Sequence, residues 1–500
     1  MEARSESTPR RPTLWIDALA LGLFVVSVGL FLSRERQLGL RFPVPWPDEG
    51  SFLWPALAFR DHSALFAPEI HPSRDAMWMP PGFMVLEGLL FRLLPFSLST
   101  SRLVSALFVV LSFAGLGAFV ARSPARVAHA LLASTFFACP IVLLVGNVAR
   151  MESLVLLVGV AGFVALERGR AAGLGLVALA PLVHPNGAFV AIGGFAYWAA
   201  LLRGKMVARR PDVLVIVAAA AVWLLYGAYV ARNLPGFLED IGAQLRFKRW
   251  VSAEEGGAVA RASNPVVLGS CIALLVSTIV SRRAGARPGA PAFLAAALLG
   301  LTVSSAGWLY EVYAAFAALL VSMLAVEAVV VALRGSSHSP QLRLSLLAGA
   351  SALVWIVDLG WVLQSGFLAR SLRGSIMSRP SPEPVYLTAE DRAAVGKYLE
   401  GVAARQPVTY VQFLPDAEAL EYESLRSSRL RYVQPTFHQF RSDLVILHES
   451  VWFPEAVRAF QFVNIMAVHS AQPPPSVTTI RARDGTERWL ALAWPPPRPN

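Results

Sequence analysis

Two adjacent carboxylates, Asp48 and Glu49, follow the first long hydrophobic stretch of the chain. A carboxylate at a membrane interface can take a proton from a dissolved acceptor while the other substrate stays in lipid, if partial dehydration raises its basicity. We therefore expect Asp48 to act as general base, and Glu49 to cap, orient or bind the acceptor. The alternative is a solvated acidic pair that begins an interfacial helix, where acidic side chains are favoured.

Glu152, in the turn Arg150-Met151-Glu152, is the third candidate catalytic carboxylate. It would position an acceptor or a divalent ion near Asp48. Alternatively it only pairs with Arg150, because a carboxylate near hydrocarbon is costly unless it is hydrated or paired. No metal ligands are predicted, and a divalent cation is the one cofactor left open. The absence of GxGxxG, Walker A, HExxH and CxxC patterns argues against nucleotide-driven transport and zinc hydrolysis.

The elements that must position these residues are hydrophobic helices. Mean hydropathy is +0.53, and 55% of the residues are hydrophobic against 15% charged, so the bilayer is the expected solvent. About eleven runs could cross it. They are 14–32, 103–121, 127–145, 153–166, 171–184, 187–202, 212–231, 265–280, 291–307, 312–333 and 343–364. The first run is longer than a signal-peptide core and is predicted to be an uncleaved span.

The run 80–96 decides the orientation of the chain. It contains Glu87 and Arg92, so we interpret it as an outer interfacial or re-entrant helix. Most cationic turns then face inward, and Arg150 alone lies in a short outer turn. The net charge of +11 therefore indicates membrane orientation and not nucleic-acid binding. This predicts an integral membrane protein, with the bacterial inner membrane as the expected location.

The predicted fold is an all-α polytopic membrane protein with outer interfacial helices and a small C-terminal extracytoplasmic α/β domain. Residues 1–13 are expected in the cytoplasm, 14–365 form the transmembrane domain with outer loops 33–100 and 232–264, and 366–500 form the α/β domain. His184-Pro185-Asn186-Gly187 breaks one long run into a hairpin. In the C-terminal domain we predict a helix capped by Thr388, strands in PVTYVQFL and DLVILHES, and a hairpin around Asp484-Gly485.

Several short motifs occur in a fixed order along 10–230. They are Asp48, Glu49, Pro80, Pro81, Arg102, Leu103, Ser105, Ala106 and Leu107, then Arg150-Met151-Glu152, then Val183-His184-Pro185. This order resembles membrane glycosyltransferases of the GT-C class, in the branch of protein O-mannosyltransferases and lipid A aminoarabinose transferases. The chain departs from that pattern at Met79 and His184, where many relatives carry lysine.

The resemblance implies a polyprenyl-phosphate-linked sugar donor and a lipid, glycan or protein acceptor on the outer face. The alternatives are a flippase or transporter of lipid-linked sugars, and an oligosaccharide ligase or polymerase that uses a lipid diphosphate. A transporter should place charges near the midplane of the bilayer. Asp358 and Glu327, which lie within predicted spans, are the residues that support this alternative. The other acids cluster at one interface, which favours an enzyme.

A lipid-phosphate leaving group would require cations nearby. The candidates are Arg150, His184, Arg246, Lys248 and Arg249. His184 could instead be a plain turn residue, and the basic cluster at 246–249 could instead anchor an amphipathic helix to headgroups. Tyr310, Glu311 and Tyr313 are predicted either to line a sugar pocket or to form an interfacial aromatic belt.

Overall fold

The computed structural model describes the larger part of the chain. The described residues are 14–38, 47–65, 79–96, 98–120, 142, 145–203, 210–238, 241–242, 245, 257–283, 289–305, 309–334, 389–413, 429–432, 444–448, 476–481 and 488–493. They are mostly helical, with one small sheet, as the hydropathy pattern predicts.

The described residues between 14 and 334 are mainly helical. The helices are α1 Leu14–Leu38, α2 Pro47–His62, α3 Gly82–Leu90, α4 Leu98–Val120, α5 Glu152–Glu167, α6 Ala172–Val183, α7 Gly187–Arg203, α8 Arg210–Ala231, α9 Gly257–Ala262, α10 Pro265–Arg283, α11 Ala290–Ser304 and α12 Leu309–Arg334. Among the described helices, α1, α4 to α8 and α10 to α12 match predicted apolar runs, whereas α2, α3 and α9 lie in the segments predicted as outer loops. Most of 127–145 and all of 343–364 lie outside the described residues.

Helix α3 is too short to cross a bilayer. It has 9 residues, which span about 14 Å against roughly 30 Å of hydrocarbon. The run 80–96 therefore holds a helix that does not span a bilayer, and its interfacial or re-entrant position on the outer side remains a prediction. A Cβ added at Gly88 would lie 2.6 Å from the Ala56 carbonyl oxygen, and one at Gly82 would lie 2.6 Å from that of Leu182. Glycine thus lets α3 press closely against both α2 and the end of α6.

The predicted hairpin at His184-Pro185-Asn186-Gly187 is confirmed by the break between α6 and α7. The His184 backbone is extended, with φ −157° and ψ 144°, and this ends α6. A Cβ on Gly187 would overlap the Ala180 carbonyl group, so the chain can turn this tightly only at glycine.

The helices share one buried apolar core, which α4, α5, α11 and α12 supply in large part. Within the described part of the chain, two helical segments, Ser99–Gly117 and Arg210–Ala231, are long and apolar enough to cross a membrane. On α8, Leu214, Leu224 and Leu225 expose 59%, 75% and 72% of their surface. The larger number of spans expected from the sequence remains a prediction.

The C-terminal part holds a helix and a five-stranded sheet. The elements are α13 Ala389–Ala403, β1 Val408–Phe413, β2 Leu430–Tyr432, β3 Leu444–His448, β4 Ser476–Arg481 and β5 Arg488–Ala493. The strand order is β2-β1-β3-β5-β4; β1 pairs in parallel with β2 and β3, and β5 pairs antiparallel with β3 and β4. The helix, the two strands and the hairpin are confirmed as predicted. Thr388 and Asp484-Gly485 lie outside the described residues.

Candidate functional site

Glu49 lies at the centre of a buried hydrogen-bond network. Arg102 donates from Nη2 to Glu49 Oε2 at 2.7 Å and from Nε to Oε1 at 3.0 Å. The Ala149 backbone N–H also donates to Oε1, at 2.6 Å. Glu49 is 0% exposed and Arg102 is 2% exposed, so the two charges must compensate each other. The network joins the first turns of α2 and α4 to the segment that precedes α5.

Glu152 is paired with Arg150, which is the simpler of the two predicted arrangements. Arg150 Nη2 lies 3.2 Å from Glu152 Oε1, and Arg150 Nε lies 3.3 Å from Oε2. The guanidinium carbon of Arg150 also lies 5.4 Å from the centre of the Phe52 ring of α2, at cation–π distance. Glu152 begins α5, where the helix dipole favours a carboxylate. Its role in positioning an acceptor remains a prediction.

His184 and Asn186 tie the α6–α7 turn to the end of α11. The Asn186 backbone N–H donates to His184 Nδ1 at 3.1 Å. Asn186 Nδ2 donates to Ser305 Oγ at 3.3 Å, and this hydroxyl donates in turn to the Leu301 carbonyl at 2.8 Å. With Nδ1 as acceptor, a neutral His184 carries its proton on Nε2.

Tyr313 completes this group of residues from the first turns of α12. Its side chain is fully buried. The hydroxyl interacts electrostatically with Glu152 and Arg150, and Asn186 lies within its reach. Within the described part of the chain it makes no well-aligned hydrogen bond. A hydroxyl in this position can donate to, or accept from, a bound polar group.

We call Glu49, Arg102, Arg150, Glu152, Asn186 and Tyr313 the polar cluster. Its members come from the starts of α2, α4, α5 and α12 and from the α6–α7 turn. The sequence-based orientation predicts all of these positions on one side of the membrane. At the other end of α5, roughly 22 Å along the helix, Glu167 accepts hydrogen bonds from the Tyr197 hydroxyl and the Ala290 N–H.

The remaining predicted site residues are located only in part. Asp48 lies in the first turn of α2, and Tyr310 and Glu311 lie in the first turn of α12. Lys248 and Arg249 lie outside the described residues. The roles of all five remain predictions. Among the described residues no group of three or more His, Cys, Asp or Glu side chains could hold a metal ion.

A further buried carboxyl lies beside the polar cluster. Glu87 of α3 is 0% exposed and accepts a hydrogen bond of 2.9 Å from Ser101 Oγ, which directly precedes Arg102. Its Oε2 has no hydrogen-bond partner among the described residues. Burial raises the pKa of Glu87 to about 8, and the Ser101 hydrogen bond only partly opposes this shift. Glu87 is therefore mostly protonated at neutral pH.

No chemical role was predicted from the sequence for Arg102, Asn186 or Phe52. A signal did exist for Arg102, because an arginine near the start of an apolar helix needs a carboxylate partner. Asn186 and Phe52 carry no such signal, since amides and aromatic rings are common in turns and amphipathic helices.

Comparison with known proteins gives no match: no family model fits this chain, and neither a curated protein nor a solved structure is significantly similar to it.

Proposed function

We propose that the protein transfers one sugar from a polyprenyl-phosphate-linked donor to a lipid, glycan or protein acceptor at the outer face of a membrane. The observation that carries this proposal is the polar cluster. Helix ends that are distant in sequence bring two buried carboxylates, two arginines, an amide and a tyrosine hydroxyl to one end of the helical core. Binding and acid–base chemistry need such a convergence, whereas a purely structural apolar core does not.

In the proposed reaction, the acceptor oxygen or nitrogen attacks the anomeric carbon of the donor sugar. The bond between that carbon and the phosphate oxygen breaks, and polyprenyl phosphate leaves with the bonding electron pair. Asp48 takes the proton of the acceptor, so charge and protons balance. Arg150 and His184, with Lys248 and Arg249 as further predicted contacts, stabilise the phosphate as negative charge develops on it.

Glu49 is assigned an orienting role and not that of the base. Its carboxylate already accepts three hydrogen bonds, two of them from an arginine. Because both carboxylate oxygens are engaged in these charge-assisted hydrogen bonds, Glu49 is fixed in place and orients the segments that it contacts. Within the acidic pair, this leaves Asp48 as the candidate base.

Membrane embedding is part of the same proposal. Helix α8 exposes Leu214, Leu224 and Leu225, and helix α10 exposes Leu275 at 60% and Ile272 at 54%. Apolar surface of this extent is unfavourable in water and favourable against acyl chains. A lipid-linked donor could then reach the polar cluster from the bilayer.

The experiment uses the full-length protein in lipid nanodiscs with radiolabelled polyprenyl-phosphate hexoses and pentoses. Lipid, glycan and protein fractions serve as acceptors. We expect one donor to label one fraction, and Asp48→Asn to lower turnover by on the order of 100-fold or more without loss of donor binding. The matched control is Asp61→Asn, an exposed carboxylate of α2 that is paired with Arg60. Transport of intact donor across vesicles, without transfer, would instead indicate the flippase.

A further inference from the structure

We propose that Arg102 is a positioning residue, which acts through Glu49 to hold the first turn of α2, and with it the backbone of Asp48, against the Arg150–Glu152 turn. This inference rests on the function proposed above. It adds a residue that does not touch either substrate but sets the geometry of those that do.

The geometry of the Arg102–Glu49 pair restricts the position of the Glu49 carboxylate. The planar guanidinium group of Arg102 donates two parallel hydrogen bonds to the two oxygens of Glu49. Such a fork fixes both the distance and the orientation of a carboxylate, which a lysine ammonium cannot do. Because both side chains are buried, water cannot replace either partner.

Glu49 also contacts the segment of the chain that precedes α5. Glu49 Oε1 also accepts the Ala149 N–H at 2.6 Å, and Ala149 directly precedes Arg150. A single carboxylate therefore fixes the start of α2 relative to both α4 and the turn that carries the Arg150–Glu152 pair. The cation–π contact between Arg150 and Phe52 makes a second link between the same two segments.

Ser101, which precedes Arg102 in α4, makes a similar contact with another helix. Ser101 donates to Glu87 of α3, while Arg102 donates to Glu49 of α2. Two successive residues of α4 therefore donate hydrogen bonds to two different helices, α2 and α3. Farther along the same helix, Ser112 donates instead to the Phe108 carbonyl within α4.

The test compares Arg102→Lys, Arg102→Met and the double variant Glu49→Gln/Arg102→Met in nanodiscs, with the donor identified for the wild type. We expect Arg102→Met to lower kcat by on the order of 100-fold with KM for the donor within about 3-fold, as a misplaced catalytic group would. Arg102→Lys should recover part of kcat. Arg92→Met is the matched control, since Arg92 follows α3 and donates to the Phe59 carbonyl and the Ser63 hydroxyl in an exposed position.

The double variant separates positioning from stability. It removes both buried charges, so it should unfold at a higher temperature than Arg102→Met, yet its kcat should stay as low. Wild-type kcat in the double variant would overturn the positioning role. If Asp48→Asn abolishes transfer while Arg102→Met does not, this inference fails and the proposed function stands. If Asp48→Asn keeps full transfer, the proposed function itself fails.

Discussion

Arg102 and Glu49 lie 53 positions apart in the sequence and are joined by two hydrogen bonds of 2.7 and 3.0 Å in the buried core. Their pairing places the first acidic motif of the chain against an arginine from the motif that begins α4. We expect both the stability and the proposed activity of the protein to depend on this contact.

Loss of Arg102 should destabilise the protein strongly. Arg102→Met leaves the Glu49 carboxylate buried without its cation, which costs about 3–5 kcal/mol of unfolding free energy. Denaturant unfolding of the full chain measures this. The control is Asp61→Asn, where an exposed pair with Arg60 is lost and the expected change is about 0–1 kcal/mol. Equal effects of the two substitutions would contradict the burial of the Glu49–Arg102 pair.

Glu87 should make stability depend on pH. Its pKa is raised from 4.5 to about 8, so the folded state holds a proton that the unfolded state releases. The stabilising effect of this proton is complete below about pH 4.5 and is lost as pH rises through about 8. Glu87→Gln keeps the acceptor for Ser101 but cannot titrate.

The unfolding midpoints of wild type and Glu87→Gln, compared between pH 5 and pH 9, test this prediction. The variant should gain stability relative to wild type as pH rises. Parallel profiles for the two proteins would show that Glu87 titrates normally.

Replacement of Gly187 in the α6–α7 turn should destabilise the protein. In Gly187→Ala the new methyl group would overlap the Ala180 carbonyl, so we expect a loss of about 2–4 kcal/mol in unfolding free energy. Gly22→Ala in α1 is the matched control, because no described atom lies within 4 Å of the added Cβ there. That change should be neutral or should stabilise α1 by up to about 1 kcal/mol. Thermal unfolding that ranks the two variants in the opposite order would refute the tight turn.

The Tyr313 hydroxyl should matter for activity more than for stability. Tyr313→Phe removes a group that makes no well-aligned hydrogen bond with the described residues, so the unfolding free energy should change by less than about 1 kcal/mol. Transfer should fall by about 10-fold, if the hydroxyl contacts a bound substrate. Tyr226→Phe on α8 serves as control, since Tyr226 contacts Trp223 of the same helix edge-on. Unchanged transfer in Tyr313→Phe would exclude this hydroxyl from the site.

The helices were predictable because their signals are local. Proline and glycine at 185–187 end one helix and permit a turn within a few residues, and the charges of 80–96 already separate that run from the spans. Strand β2 was missed because Leu430–Tyr432 has only 3 residues, with arginine in the middle. Three residues are too few for an alternation of apolar and polar side chains to be recognised as a strand pattern.

The site was only partly predictable, because its contacts are long-range. Asp48, Glu49, Arg150, Glu152, His184 and Tyr313 stand out from the sequence as polar residues at helix ends. Their partners do not, since the contact between Glu49 and Ala149 spans 100 positions and that between Asn186 and Ser305 spans 119. Only the packing of the helices brings these groups together.

The most direct measurement is transfer of labelled sugar by the Asp48→Asn protein in nanodiscs, compared with wild type and with Asp61→Asn. We expect wild type and Asp61→Asn to label the acceptor equally, and Asp48→Asn to bind the donor but label the acceptor on the order of 100-fold more slowly. Wild-type rates of transfer by Asp48→Asn would contradict the proposed role of this carboxylate as the base.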